Sequence, residues 1–261
     1  MPELPEVEEA MQRLRAAVEG KVIARVRTHH PAHERQLPDS TARRLRQQKI
    51  LGVERRGKHQ LLHLENGSTL HAHFRMNGDW VVSTTDQPLE KFTRSSIDLT
   101  DGTRIELHDS RALSSIKLHP KGEDPLPKLG VEANDPSLDA NYLQKVLARR
   151  KGPIKLMLMD QAVIAGLGNI YAAEALWRSK ISPRASASSI SKARLVKLAD
   201  AIHTTLEEEN RAPGRYTDTE NRERFNVYDR EGLPCSRCGS KIRRIPQGAR
   251  STYFCPRCQR S

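Results

Sequence analysis

The chain has 261 residues, more than the roughly 100 to 200 of a typical domain, so two domains with a small appended module are expected. Lysine and arginine outnumber aspartate and glutamate, 44 to 32, and the resulting charge of +12 argues for a polyanion such as nucleic acid as the partner. No apolar run approaches the about eighteen residues of a membrane span, and the acidic, proline-rich start MPELPEVEEA is unlike a signal peptide, so a cytoplasmic protein is expected.

In chain order, Val7, Met11, Leu14 and Val18 recur at helical spacing between Pro5 and Gly20, which predicts a helix over about residues 5–18. Strand-like alternation follows in KVIARVRT, HQLLHLE, TLHAHFR, SSIDLT and TRIELHD, divided by turn signals such as Glu65-Asn66-Gly67 and Asp101-Gly102. The first half therefore reads as antiparallel sheet. Proline, glycine and aspartate then replace the periodic pattern, marking residues 121–138 as a linker after a domain spanning 1–120. Beyond it NYLQKVLARR, IKLMLM, IYAAEALWRS and SKARLVKLADAIHTTLEEE read as helices of a domain over 139–224, and a cysteine-bearing module occupies 225–261. The fold class is α+β and multidomain. No internal repeat or low-complexity segment stands out.

The most specific motif is Cys235-x2-Cys238, sixteen intervening residues, then Cys255-x2-Cys258. Each pair suits a knuckle that aims two thiolates at one ion, and four thiolates complete the shell of one structural zinc; two disulfides are the alternative, disfavoured without secretion. A closed shell leaves no open position for chemistry, so the zinc is expected to organise a hairpin. From Ser236 to Ser261 there are seven basic residues, Lys241, Arg243, Arg244 and Arg250 among them, and no acidic one. Such a module suits a phosphate backbone, although charge runs are more often solvated faces. In AGLGNIYAAEALW, Gly166 and Gly168 lead into Asn169 and a helix start, which offers free N–H groups to an anion. Without a preceding strand or a third glycine this is no dinucleotide fingerprint, and a helix-packing joint explains the glycines about as well as phosphate binding. Lys151, Lys155 and Asn169 tip the balance modestly toward phosphate. At the terminus, loss of Met1 would leave Pro2 as a secondary amine with an unperturbed pKa of about 8, able to condense with an aldehyde-like carbon to a charged iminium. Glu3 beside it and Lys58 in Arg55-Arg56-Gly57-Lys58 supply groups for proton transfer or phosphate neutralisation.

Three motifs, Pro2-Glu3-Leu4-Pro5-Glu6-Val7-Glu8, the run Leu158-Met159-Asp160-Gln161 into Gly166-Leu167-Gly168-Asn169-Ile170-Tyr171, and the closing four-cysteine module, resemble the formamidopyrimidine-DNA glycosylase and endonuclease VIII family along the whole chain. The resemblance implies an N-terminal antiparallel β-sandwich with a flanking helix, a helix–two-turn–helix domain and a C-terminal zinc-finger hairpin. It also implies damaged double-stranded DNA as the partner of a monomer, with the lesion flipped out of the stack. By the same resemblance Pro2 is the nucleophile at the sugar carbon, Glu3 the proton donor and Lys58 the catalytic lysine. Glu6 shapes the pocket, Asn169 and Arg250 clamp flanking phosphates, Met76 fills the vacated stack and Arg111 faces the orphan base; Lys155 joins the DNA-binding residues from the local basic cluster alone. The implied reaction is base excision followed by β,δ-elimination; a non-catalytic damaged-DNA binder of the same fold is the alternative.

The chain departs from the oxidised-purine members where they read Asp-Pro-Arg-Arg-Phe-Gly, since it has Asp109-Ser110-Arg111-Ala112-Leu113-Ser114. Leu113 then stands where the family wedges a phenylalanine, and Glu208–Tyr228 looks shortened where a purine-capping loop is expected. The lesion is thus left open between oxidised purines and pyrimidines. Trp80 and Trp177 read as core, Asp109 as a holder of its own loop, and His71 and His73 as unlikely metal ligands for want of a carboxylate or cysteine partner.

Overall fold

The structure, a computed structural model, describes residues 1–211 and 224–260. The chain forms two compact units, Met1–Pro127 and Lys128–Ser261. The first unit opens with α1 (Leu4–Val18), where Pro5 sits in the first turn and Glu6 returns its carboxylate to the Glu3 N–H at 2.7 Å, closing a capping box. Its buried stripe, Val7, Ala10, Met11, Leu14 and Val18, is the one the spacing predicts.

Eight strands follow: β1 (Ile23–Thr28), β2 (Ile50–Arg56), β3 (His59–Leu64), β4 (Thr69–His73), β5 (Asp79–Thr84), β6 (Thr93–Leu99), β7 (Thr103–His108) and β8 (Ser115–His119). The short helices α2 (Pro31–Glu34) and α3 (Asp39–Arg43) interrupt them between β1 and β2. They form two four-stranded antiparallel sheets ordered β1-β6-β7-β5 and β2-β3-β4-β8. One core joins residues of both sheets to α1, among them Ile23, Leu62, Phe74, Trp80, Ile97, Leu107 and Ile116, so this is the β-sandwich with a flanking helix that the resemblance implies. Trp80 is buried as expected and donates from Nε1 to Gln60 Oε1 at 2.6 Å. Three of the strands, β2, β5 and β8, have no counterpart among the predicted elements: ILGVERR and DWVVST set apolar residues side by side and so break the alternation, and SIKLH, which does alternate, spans only five residues.

The second unit begins with a parallel pairing of β9 (Val131–Glu132) and β10 (Ile164–Ala165). Its helices are α4 (Ala140–Leu147), α5 (Ile154–Met159), α6 (Asn169–Arg178) and α7 (Lys192–Arg211), matching the predicted set to within a few residues. Asp139 caps α4 by accepting from Tyr142 N at 2.7 Å. Strands β11 (Arg243–Gln247) and β12 (Arg250–Phe254) then form the basic hairpin. Of the stretch Glu208–Tyr228, expected to be shortened, residues 212–223 lie outside the described residues. Among the described residues no helix is long and apolar enough to cross a membrane.

Candidate DNA-processing site

In the first unit, Pro2 and Glu3 are buried at the head of α1, Glu3 with only 1% of its surface exposed. Lys58 occupies the two-residue turn Gly57–Lys58 between β2 and β3 and is likewise buried. One side chain ties that turn to the helix. Arg55 donates to Glu8 Oε2 of α1 at 2.5 Å and to the Gly57 carbonyl at 3.0 Å, so the lysine-bearing turn is fixed against the element that carries the proline and the glutamate. Charged, hydrogen-bonded groups that are buried keep one geometry because moving any of them strands a partner. Arg55 and Glu8 escaped the sequence reading; an acid on the helix and a base beside the turn carry no local periodicity that pairs them.

The loops expected to enter the duplex lie together at one edge of the same unit. Met76 is at the tip of the β4–β5 turn, which closes with Gly78 N–H on the Phe74 carbonyl at 3.1 Å. A Cβ on Gly78 would come within 2.8 Å of the Phe74 backbone, so the turn needs glycine there. Asn77 of that turn hydrogen-bonds Ser110, joining it to the loop of Arg111 and Leu113. Asp109, 1% exposed, accepts from the N–H groups of Arg111 at 2.9 Å, Leu113 at 2.6 Å and Ser114 at 2.6 Å, and so holds its loop as expected. His33 locks the far end: its Nε2 lies 3.0 Å from the Ser114 carbonyl and its Nδ1 2.7 Å from Ser95 Oγ. With Nε2 donating to the carbonyl, Nδ1 accepts from the serine, and burial lowers the imidazole pKa in favour of this neutral form. Held this way, the loop leaves Arg111 exposed and Leu113 at 47% exposure.

On the outer face of β3 and β4 the histidines cluster. His59 Nδ1 and His71 Nε2 are 2.9 Å apart, and the His59 and His73 rings meet edge to face at 4.8 Å between centroids. Desolvation, with the charges of Arg75 and Lys58, lowers His59 to a pKa of about 4; burial, then His59 and Arg75, lowers His73 to about 3. His71, by burial and then His59, is held at about 4.

In the second unit, the Gly166–Gly168 loop is braced by Gln161, which donates to the Leu167 carbonyl at 2.8 Å and accepts from Gly166 N at 3.0 Å. Asn169 opens α6. Its Oδ1 accepts from Lys155 Nζ at 2.5 Å, and its Nδ2 donates to the Ser251 carbonyl at 3.1 Å, one residue from Arg250. Lys155, which the cluster with Lys151 and Asn169 suggests as a phosphate contact, is instead fully buried, and Nζ also donates to Thr252 Oγ1 at 2.6 Å. Half-buried Arg250 follows the hairpin turn Gly248-Ala249, both residues at positive φ as a type I′ turn requires. Asn169, Lys155 and Arg250 are thus one assembly of α5, α6 and the hairpin.

The four cysteine sulfurs lie within 4.8 Å of one another, with Cys235–Cys258 at 4.0 Å and Cys238–Cys255 at 3.5 Å. Tetrahedral zinc with Zn–S bonds of about 2.3 Å needs sulfurs about 3.8 Å apart, so the set fits one ion. Among the described residues it is the only group of three or more His, Cys, Asp or Glu ligands that converges. The zinc module is anchored by α6: Trp177, buried, donates to Cys235 Sγ at 3.4 Å under the Arg237 guanidinium, 3.7 Å from the ring centroid. Buried Glu174 takes N–H groups from Asn226, Val227 and Tyr228 at 2.8–3.0 Å.

A β-sandwich unit with a proline–glutamate terminus, followed by a helical unit with a four-cysteine hairpin, defines a zinc-finger DNA-repair protein of the glycosylase class. The formamidopyrimidine-DNA glycosylase N-terminal domain model matches residues 1–116, its H2TH domain model 129–219, and the zinc finger found in FPG and IleRS 232–260. Formamidopyrimidine-DNA glycosylase of Novosphingobium aromaticivorans is 36% identical over 273 residues, all of both chains, and that of Pelotomaculum thermopropionicum 38% identical over 100% of this chain and 99% of its own. Among solved structures, Lactococcus lactis Fpg bound non-covalently to DNA with an AP site is similar at a TM-score of 0.90 and 28% identity, covering 99% of this chain and 100% of that one. A MutM complex with DNA containing carbocyclic 8-oxo-G reaches 0.91 at 29% identity, with full coverage of both. The chain belongs to the formamidopyrimidine-DNA glycosylase family.

Proposed function

We propose that this protein is a bifunctional DNA glycosylase and AP lyase acting on oxidised bases in duplex DNA. The observation that carries the reading is the buried head of α1, where Pro2 is buried beside Glu3, Glu3 is fixed by the capping box and the Lys58 turn is tied to the helix through Arg55 and Glu8. Once Met1 is removed, the Pro2 nitrogen attacks the sugar C1′, the N-glycosidic bond breaks and the base leaves with a proton. Glu3 supplies a proton to the sugar, and the ring opens to an iminium between Pro2 and C1′. The iminium draws electrons from C1′ and acidifies the C2′ proton; Glu3, now a carboxylate, takes it, and the 3′ phosphate departs. A second elimination expels the 5′ phosphate, Lys58 neutralising a phosphate or protonating its oxygen. Water then hydrolyses the iminium and frees Pro2. Asn169 and Arg250 clamp the phosphates beside the flipped nucleotide, with Lys155 holding Asn169 from within, and zinc on the four cysteines keeps the hairpin folded. Glu6 fixes Glu3 and bounds the pocket; Met76, Arg111 and Leu113 fill and read the gap.

Borohydride added during reaction of the Met1-free protein with an abasic duplex should freeze an adduct on residue 2, located by mass spectrometry. An adduct on a lysine, or none, overturns the mechanism. With Leu113 in place of the aromatic wedge, formamidopyrimidines and oxidised pyrimidines should be excised at least as fast as 8-oxoguanine. A strong preference for 8-oxoguanine opposite cytosine in single turnover would refute that part.

A further inference from the structure

The segment Glu90–Arg94 is pinned on every side, yet it leaves an aromatic ring in solvent. Glu90 N–H donates to Glu106 at 3.1 Å, and Thr93 hydrogen-bonds the same buried carboxylate through its hydroxyl. The Phe92 carbonyl accepts from Asp109 N–H at 3.0 Å, at the root of the loop that carries Arg111 and Leu113. Arg94 reaches across to that loop as well, its guanidinium donating to the Asp109 carbonyl at 2.6 Å and the Ser110 carbonyl at 3.2 Å. The backbone around Phe92 is therefore as fixed as the loop itself, while its ring remains 40% exposed, with Leu89 close by in sequence at 39%. Two cations flank the ring: Lys91 Nζ stands 5.3 Å and the Arg94 guanidinium 5.9 Å from its centroid. A solvent-facing ring held rigidly between positive charges suits a nucleobase, whose π-face stacks on the ring while its phosphates meet the cations. An apolar protein partner would meet the two charges instead.

We propose that Phe92 is a further DNA contact and specificity residue, a stacking surface for a base unstacked at the damaged site, beside the Arg111–Leu113 loop. The inference rests on the reading that this loop enters damaged DNA. It gives the chain an aromatic at the root of the loop in which Leu113 replaces one.

The test measures affinity for a duplex with a stable abasic analogue and for the undamaged duplex, at one salt concentration. Phe92→Ala should weaken binding to the abasic duplex about tenfold, the lower end of what a stacked base is worth, and leave undamaged binding within about twofold. Phe92→Trp should restore affinity, and its emission should be quenched by the abasic duplex, whereas Phe92→Leu should restore less because it lacks a π-face. An unchanged thermal midpoint for Phe92→Ala separates contact from folding, since none of the fixing bonds comes from the Phe92 side chain. Abasic affinity within twofold of wild type, equal losses on both duplexes, or full rescue by leucine overturns the inference. Arg111→Ala and Leu113→Ala, run alongside, distinguish the failures. If they lose the preference for the abasic duplex and Phe92→Ala does not, only the inference falls; if none of the three changes it, the loop does not enter DNA and both fall.

Discussion

Lys155→Met tests whether the buried ammonium holds the proposed phosphate clamp together. Its Nζ donates to Asn169 at 2.5 Å and Thr252 at 2.6 Å, and more weakly to the Ser251 carbonyl at 3.4 Å. Hydrogen bonds to a charged group contribute about 1.5–3 kcal/mol each, so the two short ones amount to roughly 3–6 kcal/mol before desolvation is counted. Burying an ammonium costs several kcal/mol in return, and methionine removes the charge together with the bonds. What is left behind decides the outcome. The Thr252 hydroxyl can turn to another acceptor, whereas the half-buried Asn169 Oδ1 loses its lysine donor, and an orphaned acceptor costs about 1–3 kcal/mol. We therefore expect the folded second unit to be destabilised by about 2 kcal/mol, read from urea transitions. Binding to an abasic duplex should weaken by about tenfold or more, ~1.4 kcal/mol, because the Asn169 amide then hangs from its Ser251 bond alone. Wild-type duplex affinity in a folded Lys155→Met protein would refute the reasoning, because the amide would then be positioned by something other than the lysine.

Three further outcomes are expected. His59, His71 and His73 titrate far below the 6.5 of an unfolded histidine, at about 4, 4 and 3, so their contribution to stability is whole above pH 6.5 and is lost as the pH falls through 6.5 toward 4. Urea midpoints of the first unit should drop steeply over that range and less so in His71→Leu; a flat profile would contradict the buried neutral cluster. Chelation or Cys255→Ser should unfold the hairpin, release the Ser251 carbonyl from Asn169 and weaken duplex binding about tenfold or more; equal affinity with metal removed would sink the idea. His33→Phe should loosen the Ser114 end of the Arg111 loop and blunt discrimination of the opposite base while cleavage at abasic sites persists. Unchanged discrimination would show that Asp109 alone fixes the loop.

By itself the sequence determined those features that depend on near neighbours along the chain. The 3.6-residue stripe of α1, the cysteine spacing of the zinc site and the glycine entry to α6 are short-range patterns, each legible because one element or one knuckle satisfies it. The proline–glutamate pair ahead of α1 was legible as a candidate site for the same reason. Tertiary structure decided what depends on partners far apart in sequence. Nothing local to Lys155 says that its charge is buried against Asn169 and Thr252, nor local to Arg55 that it bridges Glu8 to the Gly57 turn, nor local to His33 that it closes on Ser114. Polar groups in such sites are selected by the demand that every buried donor and acceptor be met, which has no period along the chain and exists only once the sheets and helices have packed.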